Sequence, residues 1–227
     1  MSEQLVFDLP HRAALEASDF LVSGCNAEAV KLIDSWPEWP GACHLIIGPA
    51  GCGKSHLANV WRLKSGAKRI EVADIAAFDA IDGEVQSGIL LENLDRTAFD
   101  ERALFHLLNL SLERRFNVLL TARKAPSHWA VDLADLNSRL RSMPIAEISA
   151  PDDGLLRAVL LKQFLDRQLN VDPQVIAFLA TRMERSTEAV RAVVDAIDRL
   201  ALEGGRKITR QLVSEVLGQL QGDARPL

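Results

Sequence analysis

The chain has 227 residues, a formal net charge of −5, 48% hydrophobic and 25% charged residues. That length and balance suit one globular α/β domain with a smaller second domain. The acidic balance argues against a phosphate-neutralising surface for duplex DNA, and no apolar run or leader suggests a membrane span or export. The three cysteines lack metal-ligand spacing, so a reduced cytoplasmic location is expected.

The first twelve residues lack a helical or strand period, which predicts a flexible tail over residues 1–12. In this tail a glutamine is followed by spaced large apolar side chains, a pattern that can dock into an apolar pocket as an extended peptide. The residues are Gln4, Leu5, Phe7 and Leu9. The alternative is a tail that packs on its own domain.

A helix is predicted over Ala27–Trp36, with Asn26 as its N-cap. The segment before it contains Leu21 and Val22. In phosphate-loop proteins the segment ahead of the first strand often wraps the adenine base, so these two side chains are candidate nucleotide contacts. Packing in the core is the alternative.

The stretch Gly48–Ser55 matches the phosphate-binding pattern G-x-x-x-x-G-K-[ST] at every fixed position. An apolar strand, Cys43–Ile47, precedes it and a helix follows, which is the context the pattern requires. Its glycines allow backbone N–H groups to converge, and the helix dipole favours an anion there. The predicted nucleotide-binding residues are Gly48, Pro49, Ala50, Gly51, Cys52, Gly53, Lys54, Ser55 and His56.

Further strands alternate with helices, which predicts a parallel sheet covered on both faces, with its ligand at the carboxyl ends of the strands. The later strands are predicted at residues 69–72, 88–91, 117–121 and 145–148. The third strand ends in Glu92-Asn93, where a P-loop enzyme holds Mg²⁺, and the fourth ends in polar Thr121.

From Pro151 the strands stop. Helical periodicity predicts four helices, at residues 152–169, 172–185, 186–203 and 209–220. The expected domains are therefore an α/β nucleotide-binding domain over 13–150 and a helical lid over 151–227.

The order of these motifs is similar to that of AAA+ ATPases, and residues 20–220 resemble the Hda family of short DnaA homologues, of alphaproteobacterial type. The resemblance is carried by Gly48–Ser55, by the strand Ile89–Leu91, by Leu119-Leu120-Thr121 as sensor one, and by Asp135–Leu140 as the arginine-finger box. It implies a five-stranded parallel sheet of order 5-1-4-3-2 with a four-helix lid, and no DnaA-type DNA-binding domain.

The resemblance also implies a function. A family member bound to the DNA-loaded sliding clamp through its tail promotes ATP hydrolysis on DnaA and so prevents a second round of initiation. Arg139 would be the arginine finger in trans, with Glu92 and Thr121 as further catalytic residues. Ser55 and Glu92 would ligate Mg²⁺ beside bound ADP or ATP. AAA+ proteins often self-associate through the surface that carries the arginine finger, so the resemblance is compatible with a homodimer. It does not imply sequence-specific DNA binding.

For Arg139 the alternative is a surface arginine that caps a helix end or pairs with Asp135. Two residues depart from the family pattern. Asn93 cannot accept a proton as a carboxylate does, and Glu188 stands where DnaA has a nucleotide-sensing arginine. Arg191 or Arg185 could substitute for that arginine. Slow or absent hydrolysis of the chain's own nucleotide is therefore expected.

Three other functions are compatible with parts of the pattern. An autonomous AAA+ ATPase that remodels or loads a replication partner, as helicase loaders do, would show steady turnover. A small-molecule kinase needs a site for the phosphate acceptor. The C-terminal helices form a separate block after the sheet, which is more typical of AAA+ proteins than of such kinases. Direct duplex binding is disfavoured by the acidic balance.

Overall fold

The computed structural model describes residues 20–80, 87–204 and 207–223, with side chains omitted at 78–80, 203–204 and 221–223. Two compact units make up this part of the chain. One comprises residues 26–149, and the other comprises residues 20–25 together with the residues from 150 onward. None of the described helices is both long and apolar enough to cross a membrane.

The first unit alternates helices and strands. Its elements are α1 (Ala27–Ser35), β1 (Cys43–Ile47), α2 (Lys54–Ser65), β2 (Lys68–Ile70), a 3-10 segment (Val72–Ala80), β3 (Gly88–Leu91), α3 (Glu101–Arg114), β4 (Asn117–Ala122), a 3-10 turn (Pro126–His128), α4 (Ala134–Ser142) and β5 (Ile145–Glu147). The helix α3 is capped by Asp100, whose carboxylate accepts from the backbone N–H of Arg102 and Ala103 at 2.9 and 3.0 Å.

All five strands are parallel, in the order β2-β3-β4-β1-β5. This confirms the predicted order 5-1-4-3-2. The strand β1 lies between β4 and β5, with Ile47 opposite both Ala122 and Glu147. Its carboxyl end therefore meets the ends of two neighbours, which is where parallel sheets bind ligands.

The second unit contains four helices, α5 (Asp153–Asp166), α6 (Pro173–Ala180), α7 (Thr187–Gly204) and α8 (Arg210–Asp223). Their apolar faces share one core that includes Phe164, Leu179 and Val194. The predicted helical lid is thus confirmed. The second of its helices ends at Ala180 rather than Arg185, because the chain turns there and Ser186 caps α7 by accepting from the N–H of Ala189 at 3.0 Å.

The strand β1 contains a buried histidine. His44 is 1% exposed, and its ring is 4.5 Å from that of Trp39, which stacks on Trp61 at 5.2 Å. Neither ring nitrogen finds a hydrogen-bond partner within the part of the chain that the structure describes. Burial lowers the pKa of His44 to about 4 from the ordinary 6.5.

Replacing His44 with Phe is expected to make the protein more resistant to acid. In the unfolded chain this histidine takes up its proton near pH 6.5, whereas the native state resists it down to about pH 4. The protonation of His44 in the unfolded chain therefore lowers the free energy of unfolding by about 2 kcal/mol between pH 8 and pH 5. Urea unfolding of both proteins at the two pH values measures the difference. His128→Phe, at an exposed position, is the control, and an unchanged pH dependence in the His44 variant would contradict the expectation.

Candidate functional site

The phosphate loop, Gly48–Gly53, connects β1 to α2. Gly51 and Gly53 have φ angles of 64° and 104°, in the left-handed region that favours glycine. A Cβ on Gly48 would lie 2.2 Å from the carbonyl oxygen of Ile148 and 2.9 Å from the Cys52 sulfur. The close approach of this loop to the residue after β5 therefore requires a position without a side chain.

Lys54, the first residue of α2, is folded against this loop. It is 7% exposed, and its ammonium donates to the carbonyl oxygens of Gly48 and Pro49, both at 2.7 Å. Burial lowers the pKa of Lys54. A cation that is held by backbone carbonyls at the mouth of a glycine-rich loop is suited to a phosphate oxygen, which is a stronger partner than a neutral carbonyl.

The other side chains of the loop are consistent with an anion site. Ser55 is exposed and His56 is half-buried in the first turn of α2, where the helix dipole favours negative charge. Cys52 is buried, and burial raises the pKa of its thiol. A thiol of raised pKa is a weak nucleophile, so its role in this loop is to fill space.

The ends of β3 and β4 are joined beside this loop. The hydroxyl of buried Thr121 accepts from the N–H of Asn93 at 3.0 Å, and the Thr121 carbonyl accepts from the N–H of Leu94 at 2.9 Å. The carbonyl of Ala122 accepts from the N–H of Gly48 at 3.2 Å. The sheet thus brings the loop, Thr121 and the Glu92-Asn93 pair to one edge, as the sequence pattern predicts.

Glu92 has a partner that the sequence analysis missed. One carboxylate oxygen lies 3.2 Å from the Arg69 guanidinium, and the side chain is 8% exposed. The other oxygen is buried without a hydrogen-bond partner among the residues described. Arg69 also lies 3.2 Å from Glu71. Its positive charge offsets the negative charge of Glu92.

Asp95 and Arg123 were also missed. The Asp95 carboxylate accepts from the backbone N–H of Arg123 and Lys124 at 3.0 Å. The charges of Asp95 and Arg123 act on the pKa of Lys54 in opposite directions, Asp95 raising it and Arg123 lowering it. Both residues line a cavity of about 620 Å³ at the ends of β3 and β4. No glycine or catalytic-motif signal marks either position in the sequence.

Within residues 20–80, 87–204 and 207–223, no group of three or more His, Cys, Asp or Glu side chains could hold a metal ion alone. Magnesium does not require one, because it is commonly held by one or two protein oxygens together with substrate phosphates. The exposed Ser55 hydroxyl and the unpartnered oxygen of Glu92 fit that kind of site.

Arg139 lies on α4, half-buried against α3. Its guanidinium donates to the Asn109 side-chain oxygen at 3.0 Å and lies 5.9 Å from the centre of the Phe105 ring. The alternative pairing with Asp135 is not the contact that forms, since the hydrogen bond goes to α3 instead.

The charge of Arg139 also has an electrostatic effect on the pKa of Cys43, the first residue of β1. Burial raises the pKa of that thiol, and a hydrogen bond with Ser111 and the Arg139 charge lower it. The phosphate loop begins after the last residue of β1, and a five-residue strand is roughly 15 Å long. Arg139 is on α4, which leads into β5, and the carbonyl of Pro144, just before β5, accepts from the N–H of Leu45 on β1. Arg139 therefore lies toward the amino ends of the strands, whereas its own phosphate loop follows the carboxyl end of β1.

The remaining predicted residues belong to the second unit or fall outside the described chain. Leu21 and Val22 are half-buried, and Arg191 is exposed on α7, as is Glu188. Arg185 forms an ion pair with Asp153 at 2.6 Å. Their nucleotide contacts stay predictions. The predicted clamp-binding residues lie outside the described residues: Gln4, Leu5, Phe7 and Leu9.

Comparison with known proteins adds family evidence. Residues 153–217 match the family model for the Hda lid domain. An uncharacterized protein of Haemophilus influenzae is 27% identical, over 76% of this chain and 80% of its own length.

Solved structures of similar fold include replication proteins. Domain III of DnaA from Thermotoga maritima matches with a TM-score of 0.75 at 15% identity, over 89% of this chain and 95% of that one. AMPPCP-bound DnaA from Aquifex aeolicus matches with a TM-score of 0.69 at 19% identity, over 83% and 66%. The T. maritima RuvB branch migration motor matches with a TM-score of 0.68 at 13% identity, over 86% and 68%.

At these identities the structural likenesses show the fold, and the family match covers the helical lid. The phosphate loop, the order of the strands and the helical lid agree with the structural likenesses and with the family match. The chain therefore has an AAA+ fold like that of DnaA domain III, and its residues 153–217 match the Hda lid domain.

Proposed function

We propose that this protein is a negative regulator of DNA replication initiation. Bound to the sliding clamp through Gln4, Leu5, Phe7 and Leu9, it promotes hydrolysis of the ATP held by the initiator DnaA. Arg139 acts in trans as the arginine finger. The protein works in the cytoplasm, and the surface that meets DnaA also permits pairing with a second copy.

The position of Arg139 carries this proposal. Arg139 lies on α4, which leads into the start of β5, whereas its own phosphate loop follows the end of β1. In this position the Arg139 guanidinium is remote from the phosphates that its own chain would bind. It is available to the phosphates of a nucleotide held by a neighbouring subunit. An arginine that contacts a γ-phosphate in the transition state accelerates hydrolysis by about 10³- to 10⁵-fold in GTPases.

The protein's own loop serves to hold nucleotide. Gly48–Ser55 and His56 would bind the phosphates of ADP or ATP, with Leu21, Val22 and Arg191 as further contacts and Ser55 and Glu92 as ligands of Mg²⁺. The bound nucleotide supplies negative charge that orders the loop. AMPPCP bound to the similar DnaA fold of Aquifex aeolicus supports this assignment.

Turnover of that nucleotide is expected to be slow. Asn93 has no carboxylate to activate water, and the Glu92 carboxylate lies beside Arg69. The Thr121 hydroxyl already accepts the Asn93 N–H, so its part is to position this segment. On the partner's nucleotide, by contrast, Arg139 stabilises the charge that develops on the transferred phosphoryl group.

The decisive experiment follows labelled ATP bound to DnaA. Conversion to ADP is expected only when this protein and DNA-loaded clamp are both present. An autonomous ATPase is the second candidate, favoured by the intact loop and by the placement of Lys54. Steady ATP turnover by the purified chain without DnaA would support the autonomous ATPase and contradict the proposed regulatory function.

Clamp capture is expected to depend on the tail. Phe7→Ala should weaken retention on immobilised clamp at least tenfold, roughly the cost of removing a large apolar anchor from a peptide-binding pocket. Val6→Ala, which is outside the predicted contact positions, is the matched control and should bind as wild type does. Biosensor titration of both variants measures the effect. Wild-type capture by the Phe7 variant, or by a chain lacking residues 1–10, would refute the tail assignment.

A further inference from the structure

Two side chains of α3 hold the Arg139 guanidinium in place. Asn109 accepts its hydrogen bond at 3.0 Å, and the Phe105 ring lies 5.9 Å from its central carbon. These two residues are four apart, so they lie on the same face of the helix. The contact crosses from α3 to α4 and joins residues 30 apart in the chain.

An arginine needs such support to act quickly on a neighbour. Ordering its long side chain costs rotamer entropy. A guanidinium that is already oriented avoids most of that cost when the neighbour docks. Arginine has five N–H donors, and a single bond to Asn109 leaves others to meet phosphate oxygens.

We propose that Asn109 is a positioning residue, which presents the Arg139 guanidinium to the partner's nucleotide. This inference rests on the proposed function of Arg139 as a finger in trans. Asn109 touches neither phosphate nor attacking water, and it acts only through Arg139. Phe105 supports the same orientation by offering the face of its ring to the cation.

Cys43 provides an independent reporter of the Arg139 position. Its sulfur lies 3.1 Å from the Ser111 hydroxyl, also on α3. Burial raises the pKa of this thiol, and the Ser111 hydrogen bond and the Arg139 charge oppose that rise. Displacing the guanidinium should therefore raise the pKa of Cys43 and slow its alkylation at a given pH. This measurement needs neither DnaA nor the clamp.

The first test measures DnaA-bound ATP hydrolysis against the concentration of Asn109→Ala protein. The maximal rate is expected to fall about tenfold, because a guanidinium that is no longer preoriented stabilises the transition state less. The half-saturating concentration should stay within about twofold of wild type, since the docking surface is intact. Asn109→Asp, which keeps an acceptor oxygen in place, should recover to within about threefold. Leu112→Ala, exposed on the same helix, should match wild type.

The second test follows the pH dependence of Cys43 alkylation in a Cys25→Ser, Cys52→Ala background. Asn109→Ala and Arg139→Ala should raise the thiol pKa in the same direction, and Leu112→Ala should leave it unchanged. Wild-type alkylation in the Asn109→Ala protein overturns the positioning role, whatever the hydrolysis shows. If Asn109→Ala moves the thiol pKa but Arg139→Ala leaves hydrolysis unchanged, the finger assignment fails and the positioning contact stands.

Discussion

Arg139→Ala is expected to reduce clamp-dependent ATP hydrolysis on DnaA by about 10³-fold, the lower end of the effect of an arginine finger. The chain's own affinity for nucleotide should change less than about twofold, because Arg139 lies toward the amino ends of the strands and Gly48–Ser55 follows the carboxyl end of β1. Single-turnover decay of labelled ATP on DnaA measures the first quantity. Equilibrium titration of the variant with ADP measures the second.

Two further variants separate charge from geometry. Arg141→Ala removes an exposed arginine from the same helix, α4, and should leave hydrolysis unchanged. Arg139→Lys keeps the positive charge but loses the planar fork that matches phosphate oxygens, so only part of the rate should return. Equal hydrolysis with the wild type and the Arg139→Ala protein would rule out the finger.

Gly48→Ala is expected to abolish nucleotide retention and to lower the melting temperature. The added methyl group would lie 2.2 Å from the Ile148 carbonyl oxygen, a backbone atom that cannot rotate away. Either the loop or the end of β5 must move. Overpacking of this kind costs about 1–3 kcal/mol, and for a chain of this size each 1 kcal/mol lowers the melting temperature by about 2–4 °C.

Thermal unfolding with and without ADP measures both effects, since bound ligand stabilises the native state. The matched control is Gly218→Ala on α8, where an added Cβ meets nothing within 4 Å. That change should stabilise the helix by about 0.5–1 kcal/mol. A Gly48→Ala protein that melts like wild type and retains ADP would contradict the close approach.

Local patterns were sufficient for most of the fold. The bounds of β1 and β3 agree with those predicted from the apolar runs Cys43–Ile47 and Gly88–Leu91. Asp100 caps α3 through its side chain. The prediction for Asn26 was less accurate, since Asn26 precedes α1 but its side chain makes no capping hydrogen bond. Asn26 is 1% exposed, so its surroundings in the fold, and not only its place before the helix, decide what its side chain contacts.

Local patterns in the sequence were enough to predict the phosphate loop, the strand–helix alternation and the lid, because glycine spacing and apolar period act over a few residues. The polar ends of β3 and β4 indicated Glu92 and Thr121, and Arg139 was indicated by the resemblance to the Hda family. Only the tertiary structure decided their partners. Arg69 meets Glu92 because β2 pairs with β3, and Asn109 meets Arg139 because α3 packs on α4. These contacts join residues more than twenty positions apart, so they depend on strand register and helix packing, which no short pattern encodes.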